Sequence, residues 1–153
     1  MHAIVSRFAV FRLAVCRLAL PALCVALAAS VASRPVHAQK AKPQQIGTTS
    51  VGTPTPVFVE PRSISRTGTV VTATIRVALV PPLKHPKGEL RTSRTVGMYD
   101  CAKRTVATKE SWYYLDEAGT KEGMHRQVKI PGFGPVGKGS VAAVALDYLC
   151  RAG

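Results

Sequence analysis

Gly132-Phe133-Gly134-Pro135-Val136-Gly137-Lys138 is the stretch whose residue types come nearest to a known chemistry. Its glycines at 132, 134 and 137 have the spacing of a dinucleotide fingerprint. Gly132, Gly137 and Lys138 supply most of a phosphate-binding P-loop, and a helix start at Ser140 would add backbone amides for phosphate. Two residues oppose that chemistry. Gly139 stands where the P-loop needs Ser or Thr for its metal ion, and Pro135 removes one of the backbone donors that would cradle the phosphate. A parallel α/β nucleotide domain also needs a longer chain than this one, so the segment reads as a glycine-rich loop and no cofactor is expected.

The remaining reactive side chains do not assemble into a catalytic set. A hydrolytic triad needs a base and an orienting acid beside its nucleophile. His85 lies between Lys84 and Pro86, and His125 lies beside Arg126, neither within a nucleophile motif. Asp116, Glu117 and Glu122 gather around a turn, the ordinary place for solvated acids. A non-enzymatic protein is therefore expected. The basic residues offer more. Arg94, Arg104 and Arg126 fall on three successive predicted strands, with Lys103, Lys109 and Lys129 near the rims. If the registers align, they form one basic binding face; the alternative is dispersed, solvated charge.

The elements that would position these residues begin after an export signal. Arg7, Arg12 and Arg17 precede an apolar run from Leu18 to Ala32, and Val36-His37-Ala38 offers a small-x-small cleavage pattern. Residues 1–38 are read as a signal peptide cleaved after Ala38. Leu23 rather than a small residue precedes Cys24, which speaks against lipidation; an uncleaved membrane anchor is the other reading. The chain carries 21 Lys and Arg against 8 Asp and Glu, and cleavage removes four arginines and no acid, so the mature protein stays strongly basic. Such a balance favours polyanions: heparin-like glycans, lipopolysaccharide or acidic protein surfaces. Export makes nucleic acid the least suited of these.

Cys101 and Cys150 are the two cysteines left after cleavage. An even count in an oxidising compartment predicts a bond between them. It would close a loop of about 50 residues, for which chain entropy suggests about 4 kcal/mol of stabilisation. Two buried thiols are the alternative. A metal site would want His or Asp ligands near the cysteines, and none has that spacing.

Residues 39–56, rich in Pro, Gly, Thr and Ser, read as a disordered linker. The domain is placed at 57–153. Val57 to Ser65 reads as a strand, and Thr67-Gly68 as a turn. In Thr69 to Val80, residues Val71, Ala73, Ile75, Val77 and Leu79 alternate onto one face, and Pro81-Pro82 is expected to end the strand. Pro81 to Glu89 reads as a charged contact loop around Lys84, His85 and Lys87. Arg91 to Cys101, Lys103 to Tyr114 and Thr120 to Ile130 read as strands, with Trp112, Tyr113 and Tyr114 in the core. Ser140 reads as the N-cap of a helix whose stripe is Val141, Val144, Ala145, Tyr148 and Leu149. The expected class is α+β: a small antiparallel sheet with a C-terminal helix packed on one face and one disulfide.

Tyr99-Asp100-Cys101-Ala102-Lys103-Arg104-Thr105, the turn Asp116-Glu117-Ala118-Gly119, Gly139-Ser140 and the closing Ala145-Leu146-Asp147-Tyr148-Leu149-Cys150 resemble the bacterial surface-adhesin protein E family. The resemblance implies an antiparallel α+β domain with Cys101 bonded to Cys150, and leaves a homodimer open. It implies an adhesin-like binding protein, with host matrix and plasma proteins such as vitronectin, laminin and plasminogen as its partners. The second reading is a periplasmic accessory or envelope-stress protein that meets anionic glycans or lipopolysaccharide through the basic face. Periplasm and cell surface both remain open as locations.

Overall fold

A computed structural model describes residues 41–151; the expected signal peptide and its cleavage position lie outside the described residues. In chain order the elements are β1 (Gln44–Thr48), β2 (Pro56–Val59), a 3-10 turn (Pro61–Ser63), β3 (Ser65–Thr67), β4 (Val70–His85), β5 (Gly88–Asp100), β6 (Thr105–Tyr114), β7 (Glu122–Gln127), β8 (Gly134–Pro135) and helix α1 (Val141–Arg151). The strands form one antiparallel sheet in the order β1-β2-β4-β5-β6-β7, with β3 added to β4 and β8 to β6. The expected class is the one observed: an antiparallel half-barrel, one C-terminal helix and one disulfide.

Alternation in β4 builds the centre. Val71, Ala73, Ile75 and Val77 are buried on one face, where α1 lies over β1, β2 and β4. Val57, Val59, Tyr99, Ala145, Leu146 and Leu149 complete the core. Each such aliphatic side chain contributes roughly 1.5–3 kcal/mol when taken out of water. Burial also pushes the Tyr99 phenol pKa well up. That ring folds back over Gly97, where an added Cβ would lie 2.6 Å from the phenol oxygen.

The helix departs from its expected stripe. Ala143, Ala145, Leu146 and Leu149 are its buried residues, while Val141, Val144 and Tyr148 sit at the margin of the core. The buried stripe is thus turned by about one residue, and Leu146 replaces Tyr148 near its centre. Ser140 does cap the helix: its Oγ accepts from the Ala143 amide at 3.2 Å.

Four expectations change in the sheet. Of the expected disordered linker 39–56, the described residues 41–56 are ordered, because β1 pairs with β2 and Ile46 packs on the core. The connecting bend is ordered by Thr49: its Oγ1 accepts from the Thr55 amide at 3.0 Å, and its amide donates to Thr55 O at 3.0 Å. Val57 to Ser65 is not one strand, because Pro61 interrupts it. The Ser63 hydroxyl fills the gap, accepting from the Thr74 amide at 2.8 Å and donating to Glu60 O at 2.6 Å. Pro81 and Pro82 do not end β4. They sit where the β4–β5 register shifts between Ala78 and Leu83, so their missing N–H groups break no ladder bond. Finally, Pro81 to Glu89 is not a loop: β4 resumes pairing at Leu83↔Leu90 and reaches the tight turn before Gly88 through His85↔Gly88.

The disulfide joins the turn after β5 to the last turn of the helix. Cys101 and Cys150 are bonded, with Cα atoms 5.4 Å apart across a separation of 49 residues. Asp100 shapes that turn, its Oδ1 accepting from the Ala102 and Lys103 amides at 3.1 Å each. Arg66 adds a second tie to the helix end, donating to Leu149 O at 2.8 Å.

Two outcomes test this packing. Cys150→Ser should lower the unfolding free energy by about 2–4 kcal/mol, read from denaturant curves under oxidising conditions. Gly47→Ala should cost about 1–3 kcal/mol, because a Cβ there meets Val144 Cγ1 at 2.7 Å and the helix must lift from β1. A Gly47→Ala, Val144→Ala double variant should recover part of the loss.

Candidate binding face

The six basic residues singled out in the sequence do not share one face. Arg94 pairs in register with Trp112, whereas Arg126 pairs with Ser111. Neighbouring positions along a strand point to opposite sides, so Arg94 and Arg126 lie on opposite faces of the sheet. Arg104 is not on a strand. It ends the turn after β5 at φ +56° and forms an ion pair with Asp147 of α1. Lys103 is exposed in the same turn. Lys109 is the unpaired residue at the β5–β6 register shift, and its carbonyl accepts from the Val128 amide at 2.9 Å. Lys129 is exposed in the bend after β7.

A different set is brought together. Phe58, Arg76, Arg94, Trp112 and His125 are successive register partners across β2, β4, β5, β6 and β7. They form one row on the face turned away from the helix. The Arg94 guanidinium sits 5.0 Å from the Trp112 ring centroid. Trp112 stacks on His125 with centroids 5.1 Å apart and planes 6° from parallel. Carboxylates flank the Arg94–Trp112–His125 part of the row: Glu60 takes Arg94 Nε and an η nitrogen at 2.7 and 2.9 Å, and Glu110 meets His125 Nε2 at 2.7 Å. The hydrogen bond to Glu60 raises the Arg94 pKa, so this cation is fixed in charge and direction.

Trp112, Tyr113 and Tyr114 were expected in the core, and all three are only half-buried, outside the main cluster. Such an array holds no Ser, Thr or Cys nucleophile. What it offers is a stack: an indole with a guanidinium 5.0 Å from its centroid and an imidazole parallel to it on the next strand. Trp and Arg are the side chains that most often dominate protein–protein contacts, because they combine area with directed polar edges. The period-2 pattern of β6 was the signal that could have placed Trp112 outside, since buried Ser111 faces the opposite way.

The other sequence candidates have structural roles. Asp116 organises the turn before β7 by accepting from the Thr120 hydroxyl and from the Thr120 and Lys121 amides, and these bonds lower its pKa. His85 Nδ1 accepts from the Lys87 amide at 3.3 Å in the exposed hairpin turn. Within the glycine-rich loop, Gly134 and Pro135 pair with β6. Among the described residues no three His, Cys, Asp or Glu side chains converge as a metal set.

A helix-covered antiparallel half-barrel, stapled by one disulfide and bearing an open aromatic and cationic row, defines a small binding domain of the α+β class. The sequence model of the surface-adhesin protein E family matches residues 44–151, and the chain belongs to that family. Membership makes it an adhesin-like surface protein. No curated protein matches it. Among solved structures it is similar to Haemophilus influenzae protein E in crystal form II, at 17% identity and TM-score 0.48 over 63% of this chain and 80% of that one. A second protein E structure from that organism shows 15% identity and TM-score 0.45 over 72% and 94%.

The rigidity of the row is measurable. In a double-mutant cycle, Arg94→Met and Glu60→Gln should show a coupling of about 1 kcal/mol in urea denaturation, since the contact is bidentate yet partly exposed.

Proposed function

We propose that the protein is exported and acts without catalysis, holding host matrix or plasma proteins against the open face of its sheet. The observation that carries this reading is the row Arg94–Trp112–His125, half-exposed and fixed from both ends by Glu60 and Glu110. A pre-positioned arginine and tryptophan lose little freedom on contact, which lowers the entropic cost of binding. Family membership supports binding to host-surface partners in general; matrix and plasma proteins are the class proposed here.

A second reading rests on a separate observation. Lys103, Lys109 and Lys129 are exposed, and the chain has a large basic excess. These lysines suit anionic glycans or lipopolysaccharide, with attraction that fades as salt screens it.

The test is binding of the oxidised chain from Gln39 to Gly153 to immobilised vitronectin, laminin, plasminogen and heparin at low and high salt. The first reading expects saturable binding to a matrix or plasma protein that survives high salt and falls at least about tenfold in Trp112→Ala, the loss of one contact hot spot. Binding to heparin alone, abolished by salt and untouched by Trp112→Ala, would favour the second reading.

A further inference from the structure

Beside the row, the sheet opens into a cavity of about 580 Å³. Its origin is the irregularity in β4. Pairing with β2 ends at Val77, and Leu79 to Pro82 leave the β5 ladder between Ala78↔Thr92 and Leu83↔Leu90. Four residues therefore stand opposite Arg91 alone, and the strand bows away from its neighbour. The floor and walls are apolar: Phe58, Val77, Leu79, Val80 and Pro82. Val80 remains 51% exposed, an unusual position for a side chain of its kind beside a half-formed strand. The volume falls in the range of roughly 300–1,000 Å³ found for small-molecule sites.

The polar lining is unbalanced. Lys42, Arg76 and Arg91 border the cavity against one carboxylate, Glu117. Arg76 donates to Ala118 O at 2.8 Å, which fixes its guanidinium while leaving other N–H groups free. Arg91 pairs with Glu89 at 2.8 Å on the exposed side, a contact that a competing anion can replace at little cost. An apolar trough rimmed by positive charge is complementary to a molecule with an apolar tail and an anionic head. We infer that this cavity binds a free fatty-acid carboxylate, its chain laid along Leu79, Val80 and Pro82 and its head group held by Arg76 and Arg91. The inference concerns a small ligand rather than a host protein, in a cavity that shares Phe58 and Arg76 with the row.

The test is calorimetric titration of the oxidised chain from Gln39 to Gly153 with sodium dodecanoate below its micelle concentration. Dodecanol and dodecyltrimethylammonium serve as neutral and cationic controls. One saturable site for dodecanoate is expected, with dodecanol at least about tenfold weaker, the equivalent of one charge-assisted contact, and no saturable binding of the cation. Val80→Asp places a carboxylate at an exposed position of the wall, and should weaken dodecanoate binding at least tenfold while leaving the melting temperature unchanged. Arg91→Glu should do the same, and the remote Lys138→Glu should have no effect. Equal binding of all three amphiphiles, insensitivity to both cavity variants, or no binding of dodecanoate would overturn the assignment. So would co-sedimentation with phosphatidylglycerol vesicles in the absence of dodecanoate binding.

Discussion

Everything in this domain depends on α1 reaching the sheet. A single sheet layer with one apolar face cannot exclude water, and here the cover is one helix of 11 residues. It contacts β1 and β2 at one edge and β4 near the middle, and the bond from Cys150 to Cys101 holds its last turn at the end of β5. The close approach at Gly47 and the Arg66 bond to Leu149 O fix the helix at further points. Although Leu90 and Thr92 are buried on the other face, the helix leaves that face uncovered around Trp112 and Arg94. That is why Trp112 and Arg94 remain half-exposed there.

The basic character of the chain divides by residue type. Among the described residues, the side-chain hydrogen bonds made by Lys and Arg come from arginine: Arg66, Arg76 and Arg151 to backbone carbonyls, Arg91 to Glu89, Arg94 to Glu60 and Arg104 to Asp147. The planar guanidinium fork suits such fixed contacts. Lys103, Lys109 and Lys129 stay in solvent. The charge that looked like a single face is therefore partly a set of internal ties and partly a scatter of solvated lysines.

The first half of β4 was legible from its own alternation, whereas β5 and β7 have mixed periods and were located only by their extent, and the helix was found with its stripe turned by about one residue. β1 was not, since Gln44-Gln45-Ile46-Gly47-Thr48 has one large apolar side chain and its order comes from pairing with β2 and from the helix above it. The prolines at 81 and 82 misled because their cost depends on whether a partner strand needs their N–H, and no sequence states where a ladder is interrupted. The site failed to read for a related reason. Placing Arg94 and Arg126 together required the register of three strands, and a slip of one residue reverses the face. The disulfide was legible because it needed only a count and a compartment.

The tie between Arg66 and Leu149 spans 83 residues, and the contact of Gly47 with Val144 joins the first strand to the last element. Core residues Val57 and Leu149 likewise come from opposite ends of the domain. An incomplete chain emerging from its amino end therefore has a sheet but no cover, and its apolar face stays wet until the final helix arrives. Long-range contacts of this kind slow folding. The packed core therefore needs α1, and the bond from Cys101 needs Cys150 at the end of that helix.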